Sequence, residues 1–437
     1  RYDRRLQVLR VAGPSLRILA MAAGAPPLIP RHLGDVYRDR NKEAWMAAMR
    51  GELDNFEANK VWMLVDRPSS HNVMSCKWVY DIKRDATGVV DKLKARLTCR
   101  GFTQVHGQDY DETWAPTCRL RVLRALLAMA AADTRYRTAQ WDCTAAFLQS
   151  DADCEMYMEQ PPGFAAGDRS KQVYRLLKSV YGTKQASRLF YQLVRRTLLD
   201  LGARQAKADD CLFILESGAG SVHVLTHVDD FAVFYNDGSL YQRVLDRMKE
   251  VFTGGFKDLG PLHQFLGIIV ERRPEGGFRL HQAPKIAELL SRLGLADTTE
   301  YKSPAAAGTA AKLRPCRALS PEDEDFMASV PYSEAVGALF YICRASRWDI
   351  SHACSQVAKF MACPGPLHWA AVRRIYGYLR RTMNVGLVIN PTAGQLTLDI
   401  VETPVSVTGS PLVMRLEGWS DADWAGDPTT RKSHSGW

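Results

Sequence analysis

Two adjacent carboxylates, Asp229 and Asp230, stand between apolar, strand-like runs in the segment "HVLTHVDDFAVFY" (223–235). Like charges about 4 Å apart repel by roughly 4 kcal/mol at an effective dielectric constant near 20. A plain turn is one interpretation of the pair, because Asp is common in turns. Turns usually have polar flanks, so the apolar flanks favour a second interpretation, in which bound cations neutralise the two charges.

A third carboxylate, Asp142, lies close to the end of a predicted strand in "RYRTAQWDCTAAFLQSD" (135–151). If these strands are neighbours in one sheet, three carboxylates converge at its edge. Mg²⁺ prefers oxygen ligands and typically takes one or two carboxylates, waters and substrate phosphates. Two such ions about 3.5–4 Å apart clamp the attacking and leaving oxygens of a phosphoryl displacement. The carboxylates alone fit a two-metal nuclease as well as a polymerase.

The elements around these acids alternate without a clean βαβ repeat. The apolar spacing predicts helices at 43–62, 119–133 and 187–201, and further helices at 333–344, 349–361 and 366–381. Hairpins are expected around "RDATG", the acidic doublet and "RPEGG". This order predicts an α+β fold with a mainly antiparallel sheet.

A basic strand follows the first of these turns. Lys92, Lys94 and Arg96 alternate with apolar residues, so a side-chain period of two places the cations on one face. A solvated outer face is one interpretation. A stripe that contacts phosphate is the other, favoured because no acid is interleaved with the three cations.

Composition limits the classes of protein that the chain can represent. Its 437 residues suffice for two or three domains, and 57 Lys and Arg against 48 Asp and Glu give a net charge of +9. That excess fits a polyanionic partner such as nucleic acid, although many basic proteins bind none.

Ten cysteines without a C-x-x-C pair argue against a zinc finger and favour reduced core thiols. No apolar run approaches the roughly 20 residues of a membrane span, and both ends suggest a fragment of a longer chain.

From about residue 45 to the end, the chain resembles the reverse transcriptase of copia-type LTR retrotransposons. The resemblance is carried, in order, by "CKWVYDIKRDATG", "KLKARLTCRGFTQVHGQDYDETWAPTCRL", "QWDCTAAFLQSDADCEMYMEQPPGF", "VYRLLKSVYGTKQASRLFYQ", "KADDCLFI", "HVDDFAVF", "DLGPLHQFLGIIVE", "YSEAVGALFYICRASRWDISHACSQVAKFMACPGPLHW" and "GWSDADWAGDPTTRKSHSGW". So many ordered matches favour a polymerase over a nuclease.

The resemblance implies a right-hand polymerase fold with fingers, palm and thumb, and a mainly antiparallel palm sheet. The expected domains are a linker or disordered arm at 1–40, fingers and palm at 41–305, a mainly helical thumb or connection at 306–411, and an incomplete RNase H-like domain at 412–437. A helical connection would thus precede a truncated RNase H-like strand, on which Asp421 would be the first metal carboxylate.

Site roles also follow from the resemblance, position by position. Asp142, Asp229 and Asp230 would be the catalytic, metal-binding carboxylates. Phe147 would lie under the incoming sugar and exclude a 2′-hydroxyl, although a core aromatic is the alternative. The other nucleotide-binding candidates are Lys94, Arg96, Lys184 and Gln185. The strand around Phe265, Leu266 and Gly267 would grip the primer.

The implied activity is RNA-directed DNA synthesis, in which dNTPs are added to a primer 3′-hydroxyl. Two Mg²⁺ ions, or Mn²⁺, would serve as cofactors. The implied partners are an RNA template, a DNA or tRNA primer, dNTPs, and the integrase and RNase H segments of the same polyprotein, with no membrane. The expected location is the cytoplasm, in virus-like particles, with nuclear entry alongside the integration complex.

Four positions depart from the family pattern. His227 stands where the family usually has Tyr, and Thr183, Ser187 and Phe190 replace Leu, Pro and Trp. The three carboxylates that the implied chemistry requires are intact. The alternative is a degenerate copy of the same element that binds nucleic acid without catalysis.

Overall fold

The computed structural model describes residues 28–84, 90–218, 220–306, 308, 312–315 and 319–390, with four two-residue strands at 396–397, 413–414, 421–422 and 435–436. The chain divides into two compact units, each built from three separate segments. The first unit comprises 1–117, 142–203 and 242–257, and the second comprises 118–141, 204–241 and 258–437. The predicted domain boundaries at 40, 305 and 411 stay predictions.

The first unit packs a helix on a two-stranded ribbon. Its elements here are α1 (Leu33–Arg38), α2 (Lys42–Ala58), β3 (Cys76–Arg84) and β4 (Val90–Cys99). Trp45, Met49 and Phe56 of α2 are buried with alternate residues of the ribbon, which explains the helical spacing of large apolar residues. Within 1–40, interpreted as a linker or disordered arm, α1 forms and buries Val36. Residues 1–27 of that arm lie outside the described part of the chain.

A four-stranded sheet completes the first unit. It has the order β1-β7-β6-β2 and pairs antiparallel except between β2 and β6. Its strands are β1 (Trp62–Asp66), β2 (Val73–Met74), β6 (Asp151–Met158) and β7 (Gln172–Lys178), and helix α4 (Ala186–Asp200) follows.

A six-stranded sheet with the order β12-β5-β11-β10-β9-β8 carries the acidic doublet. Its strands are β5 (Arg137–Cys143), β8 (Arg204–Ala206), β9 (Asp209–Ser217), β10 (Gly220–His227), β11 (Asp230–Tyr235) and β12 (Phe256–Asp258). Helix α3 (Leu120–Ala132) precedes β5, and α5 (Gly238–Val251) follows β11. The predicted hairpin at the doublet is confirmed, because β10 and β11 pair antiparallel with His227 opposite Asp230.

The second unit also contains a small antiparallel sheet of β13 (Gln264–Phe265), β14 (Ile268–Arg272), β15 (Phe278–His281) and β16 (Leu387–Ile389). The pattern of the segment "LHQFLGIIVER" predicts one continuous strand, and that prediction is wrong. The segment folds back at Leu266 and Gly267, whose φ angles are 53° and 69°. A two-residue turn with positive φ at both positions reverses the chain here, and leucine carries no sequence signal for it.

Helices form the core of the rest of the second unit. They are α6 (Ala283–Arg292), α7 (Pro321–Ser329), α8 (Tyr332–Ala345), α9 (Ser351–Ala358) and α10 (Pro366–Arg381). The three helices predicted after residue 330 are therefore confirmed, and their apolar faces share one cluster. Among the described residues, no single helix is long and apolar enough to cross a bilayer; α7 and α8 pass by length and composition only as a pair bent by 49°. The coarse fold class, a mixture of helices and sheets, is confirmed.

A half-buried histidine, His223, is expected to make this fold acid-sensitive. Nε2 of His223, on β10, lies within hydrogen-bond distance of Ser221 Oγ (3.0 Å) and Tyr136 Oη (3.4 Å). Burial, with a smaller effect of the Arg204 cation, lowers the pKa of His223 to about 4.

We expect the free energy of unfolding to fall by roughly 3 kcal/mol as the pH drops from 6.5 to about 4. The sign follows because the unfolded chain takes up the proton at a higher pH than the folded chain does. Urea denaturation at several pH values measures the loss, and His223→Gln should remove most of it. An unchanged pH dependence in that variant would contradict the assignment to His223.

Candidate functional site

The acidic doublet lies at a strained two-residue turn. Val228 and Asp229 connect β10 to β11, and Val228 has φ = 54°. A β-branched residue at positive φ is a genuine outlier, and such strain costs of order 1–3 kcal/mol. Asp229 is exposed, whereas Asp230 begins β11 and is half-buried. The turn therefore exposes the Asp229 carboxylate to solvent, while the Asp230 carboxylate is partly covered. Nothing in the sequence identifies Val228 as a strained residue.

His227, the departure from the family pattern, is a neutral ring beside the doublet. Burial lowers its pKa, and the Asp229 carboxylate opposes that shift. Its Nδ1 lies 3.6 Å from Cys118 Sγ, and burial raises the pKa of that thiol to about 12. A neutral imidazole next to a neutral thiol adds no positive charge at this turn near neutral pH.

Asp142 is the penultimate residue of β5 and is half-buried. Strand β5 is the neighbour of β11 in the six-stranded sheet, but the division between the two units falls directly after Trp141. The convergence of Asp142 with Asp229 and Asp230 therefore stays a prediction.

A metal ion would find suitable donors at the doublet itself. Across the described residues, no group of three or more His, Cys, Asp or Glu side chains is placed to hold an ion. A magnesium site does not need three, since Mg²⁺ typically takes one or two carboxylates together with waters and substrate phosphates. The adjacent carboxylates of Asp229 and Asp230 at an exposed turn have that chemistry.

The predicted alternation of the basic strand is confirmed in β4. Leu93, Ala95 and Leu97 are buried, while Lys94 and Arg96 are half-buried on the opposite face. Burial lowers the pKa of Lys94, and the neighbouring cations Arg96 and Lys83 lower it further. A bound anion would stabilise the charged forms of cations held this close to one another. Contact with phosphate stays a prediction.

Phe147 lies in a short 3₁₀ turn, Ala146–Gln149, and is half-buried. Its ring meets Tyr181 edge-on at 5.4 Å between centroids, and Phe190 lies 6.5 Å away. The Arg96 guanidinium also contacts this tyrosine, 5.6 Å from the Tyr181 ring centroid. Two residues predicted to bind nucleotide thus meet on one tyrosine that sequence reasoning did not identify as a candidate.

Lys184 and Gln185 differ in what they can reach. Lys184 is exposed, and its Nζ donates to Tyr110 Oη at 2.9 Å while lying 4.2 Å from that ring centroid. Gln185 is 0% exposed, donates to the Asp109 carbonyl (2.8 Å) and accepts from Gln104 (3.0 Å). In this structure Gln185 supports the loop from inside, and of the two only Lys184 is open to a ligand.

Gly182 joins this loop to the end of β4. Its φ is +87°, and a Cβ there would overlap the Cys99 carbonyl oxygen and the Thr98 side chain. We expect Gly182→Ala to lower the free energy of unfolding by about 2 kcal/mol, because it adds both an overlap and a strained φ. Urea denaturation measures this, with Gly51→Ala as the control, since nothing lies within 4 Å of a Cβ at Gly51. Equal effects of the two changes would contradict the close approach.

The predicted primer grip is the tip of the β13–β14 hairpin. Phe265 is buried, while Leu266 and Gly267 form the turn described above. Tyr341 of α8 donates its hydroxyl to the Leu266 carbonyl at 2.6 Å, and a Cβ on Gly267 would lie against that hydroxyl. The turn is therefore tied to helix α8 within the second unit, a contact that no sequence pattern indicates.

The last candidate, Asp421, lies in the two-residue strand Asp421–Ala422, which pairs with Ser435–Gly436. Its side chain is outside the described part of the structure. The role of Asp421 as an RNase H carboxylate stays a prediction.

Comparison with known proteins gives matches over most of the chain. The family model described as reverse transcriptase (RNA-dependent DNA polymerase) matches residues 59–307. The retrovirus-related Pol polyprotein from transposon TNT 1-94 of Nicotiana tabacum is 32% identical over 93% of this chain and 29% of its own length. The corresponding polyprotein from transposon RE1 of Arabidopsis thaliana is 34% identical over 90% of this chain and 25% of its own length. The chain thus spans less than a third of these relatives.

Among solved structures, a foamy viral protease-reverse transcriptase in complex with double-stranded DNA matches 82% of this chain and 51% of its own. The sequence identity is 12% and the TM-score is 0.36. A TM-score at that level is too low to establish a shared fold.

Proposed function

The chain belongs to the reverse transcriptase (RNA-dependent DNA polymerase) family, as a region of a copia-type Pol polyprotein, and from this premise we propose that it extends a primer on an RNA template. The single observation that carries the proposal is the acidic pair Asp229–Asp230 at a strained, solvent-facing turn of the six-stranded sheet. Strain of this kind is retained where function requires an unusual backbone.

In the proposed reaction, the primer 3′-hydroxyl attacks the α-phosphate of a dNTP and pyrophosphate leaves. Asp142, Asp229 and Asp230 would hold two Mg²⁺ ions, or Mn²⁺. When bound, these ions supply the charge that acidifies the hydroxyl and neutralises the triphosphate. All three carboxylates lie within the residues that the reverse transcriptase family model matches, which supports this assignment.

The remaining residues of this chain would bind and orient. We assign the triphosphate to Lys94 and Arg96, whose mutual proximity an anion would relieve, and assign a template or nucleotide phosphate to the exposed Lys184. Phe147 would face the sugar from its short turn. Such groups contribute mainly position and charge, and enzymes that transfer phosphoryl groups depend almost entirely on these two effects.

The subdivision into fingers, palm and thumb is part of the same proposal. The ribbon β3–β4 would serve as fingers, the six-stranded sheet as palm and the helices after residue 320 as thumb or connection. The β13–β14 turn would grip the primer, held by Tyr341. The RNase H-like segment, the integrase segment and a location in cytoplasmic particles are proposed as the context of the whole polyprotein.

Primer extension on an RNA template with Mg²⁺ and dNTPs tests the proposal. We expect extension by the folded chain, and we expect template–primer binding to weaken as salt rises, because Lys and Arg contacts to phosphates release counterions. Folded protein that binds template–primer but does not extend it would refute the enzymatic proposal.

That outcome would favour the second candidate, a copy that binds nucleic acid without catalysis. The observation in its favour is His227, a smaller ring than the usual Tyr beside the doublet. The substitutions at Thr183 and Phe190 are accommodated inside the fold: Thr183 donates to the Val180 carbonyl at 2.9 Å, and Phe190 packs on Phe252 at 5.7 Å between ring centroids. His227→Tyr distinguishes the two candidates, because only a copy that has lost catalysis through the His227 substitution would gain primer extension when Tyr is restored.

A further inference from the structure

Tyr181 lies between two residues that are expected to touch opposite ends of the nucleotide. The Arg96 guanidinium is 5.6 Å from its ring centroid, and the Phe147 ring meets it at 5.4 Å with an interplanar angle of 69°. All three side chains are half-buried, so each keeps some surface exposed to solvent. The tyrosine ring therefore sets the separation between a cation suited to phosphate and an aromatic suited to the sugar.

The backbone fixes where that ring can be. The Cys99 amide donates to the Tyr181 carbonyl at 2.8 Å, which ties Tyr181 to the end of β4, the strand that carries Arg96. Gly182 follows at φ = +87° with no room for a side chain against Cys99. Tyr181 thus has little freedom to move relative to Arg96.

The same segment also holds the Phe147 turn. Ser179, which is 0% exposed, donates its hydroxyl to the Phe147 carbonyl, and its amide donates to the Ser150 carbonyl at 2.9 Å. Residues 179–182 therefore connect the 3₁₀ turn with strand β4. The buried Nε of Arg96 has no hydrogen-bond partner among the described residues, and the Tyr181 ring is a neighbour of that guanidinium.

We propose that Tyr181 is a positioning residue that determines sugar specificity, because it holds Phe147 at a fixed distance from Arg96 so that a 2′-hydroxyl does not fit. This inference rests on the proposed function. Without the ring, Phe147 gains room to turn away from the sugar while Arg96 still binds phosphate. Loss of Tyr181 should therefore affect the choice between nucleotides more than the overall ability to bind them.

The test compares dCTP with CTP, which differ only in the 2′-hydroxyl, in single-nucleotide primer extension. We expect Tyr181→Leu to reduce the ratio of kcat/KM for dCTP over CTP by about tenfold, the scale at which a poorly fitting group is rejected by shape. Tyr181→Phe keeps the ring and should keep the ratio. Tyr37→Leu is a matched control, because Tyr37 also carries a cation over its ring, Lys42 at 5.5 Å, in a contact with no proposed role in the reaction.

A purely structural role predicts that Tyr181→Leu slows dCTP and CTP incorporation equally, and that result would overturn the inference. Equilibrium binding of dCTP and CTP, followed by tryptophan fluorescence in the presence of Mg²⁺, gives a readout independent of catalysis. If the wild-type chain extends no primer, the proposed function fails. The ratio of the two binding affinities still decides the inference: it should favour dCTP in the wild type and shrink in Tyr181→Leu, and equal ratios in the two proteins would overturn it.

Discussion

Asp229→Asn should reduce primer extension by at least about 100-fold while leaving the chain folded. Removing one charged group that stabilises a transition state commonly costs that much. Asp229 is exposed at the turn after Val228, so no buried partner is lost with the charge. The substitution also removes the repulsion from Asp230, so the free energy of unfolding should not fall. Single-turnover extension with a labelled primer measures the first effect, and urea denaturation measures the second.

Glu216→Gln is the matched control for that experiment. Glu216 is an exposed acid at the end of β9 in the same sheet, and its ion pair with Arg204 spans 3.4 Å at the surface, where such pairs contribute little. The two variants carry the same change in net charge. A comparable loss of extension in both would point to a general electrostatic effect, and full activity of Asp229→Asn would exclude the doublet as the catalytic centre.

Arg347→Leu should lower the free energy of unfolding by about 3 kcal/mol, because it removes several hydrogen bonds from a buried guanidinium, and a hydrogen bond to a charged group contributes about 1.5–3 kcal/mol. Arg347 is 0% exposed and binds Asp349 with two nitrogens, at 2.9 and 2.7 Å. It also donates to the carbonyl and the hydroxyl of Thr382 at the end of α10, at 2.8 and 2.7 Å. The substitution would remove all four of these hydrogen bonds. Urea denaturation followed by circular dichroism measures the change.

Two further variants sharpen this prediction. Arg347→Lys keeps the charge but not the planar, two-nitrogen geometry, so an intermediate loss is expected. Arg381→Leu removes an exposed arginine from the end of α10, next to Thr382, and should change stability by less than about 0.5 kcal/mol. A loss below about 1 kcal/mol for Arg347→Leu would show that the cluster with Asp349 and Thr382 contributes little to stability.

Sequence reasoning located the elements whose signal is local. Apolar flanks identified the hairpin around Asp229 and Asp230, and the two-residue period of β4 identified the face shared by Lys94 and Arg96. These features depend on neighbours in the chain, whose spacing is visible in the letters.

The features that escaped prediction depend on distant contacts or on backbone angles. Leucine at position 266 carries no turn signal, yet the chain reverses there, and Tyr341, far along the chain, donates a hydrogen bond to its carbonyl. Tyr181 also escaped prediction, because its proposed role depends on contacts with Arg96 and Phe147, which lie on other segments of the chain. The strain at Val228 could not be predicted either, because valine favours strands and gives no sign of a turn.

The interleaving of the two units has a consequence for how the polypeptide is made. The first unit needs residues 242–257 to be complete, and the small sheet of the second needs β16 at Leu387–Ile389. During synthesis, neither unit can finish folding before most of the chain has left the ribosome, and apolar surfaces stay uncovered meanwhile. A nascent chain that stalls between these points would therefore be a substrate for chaperones, and neither unit can be produced alone by simple truncation of the gene.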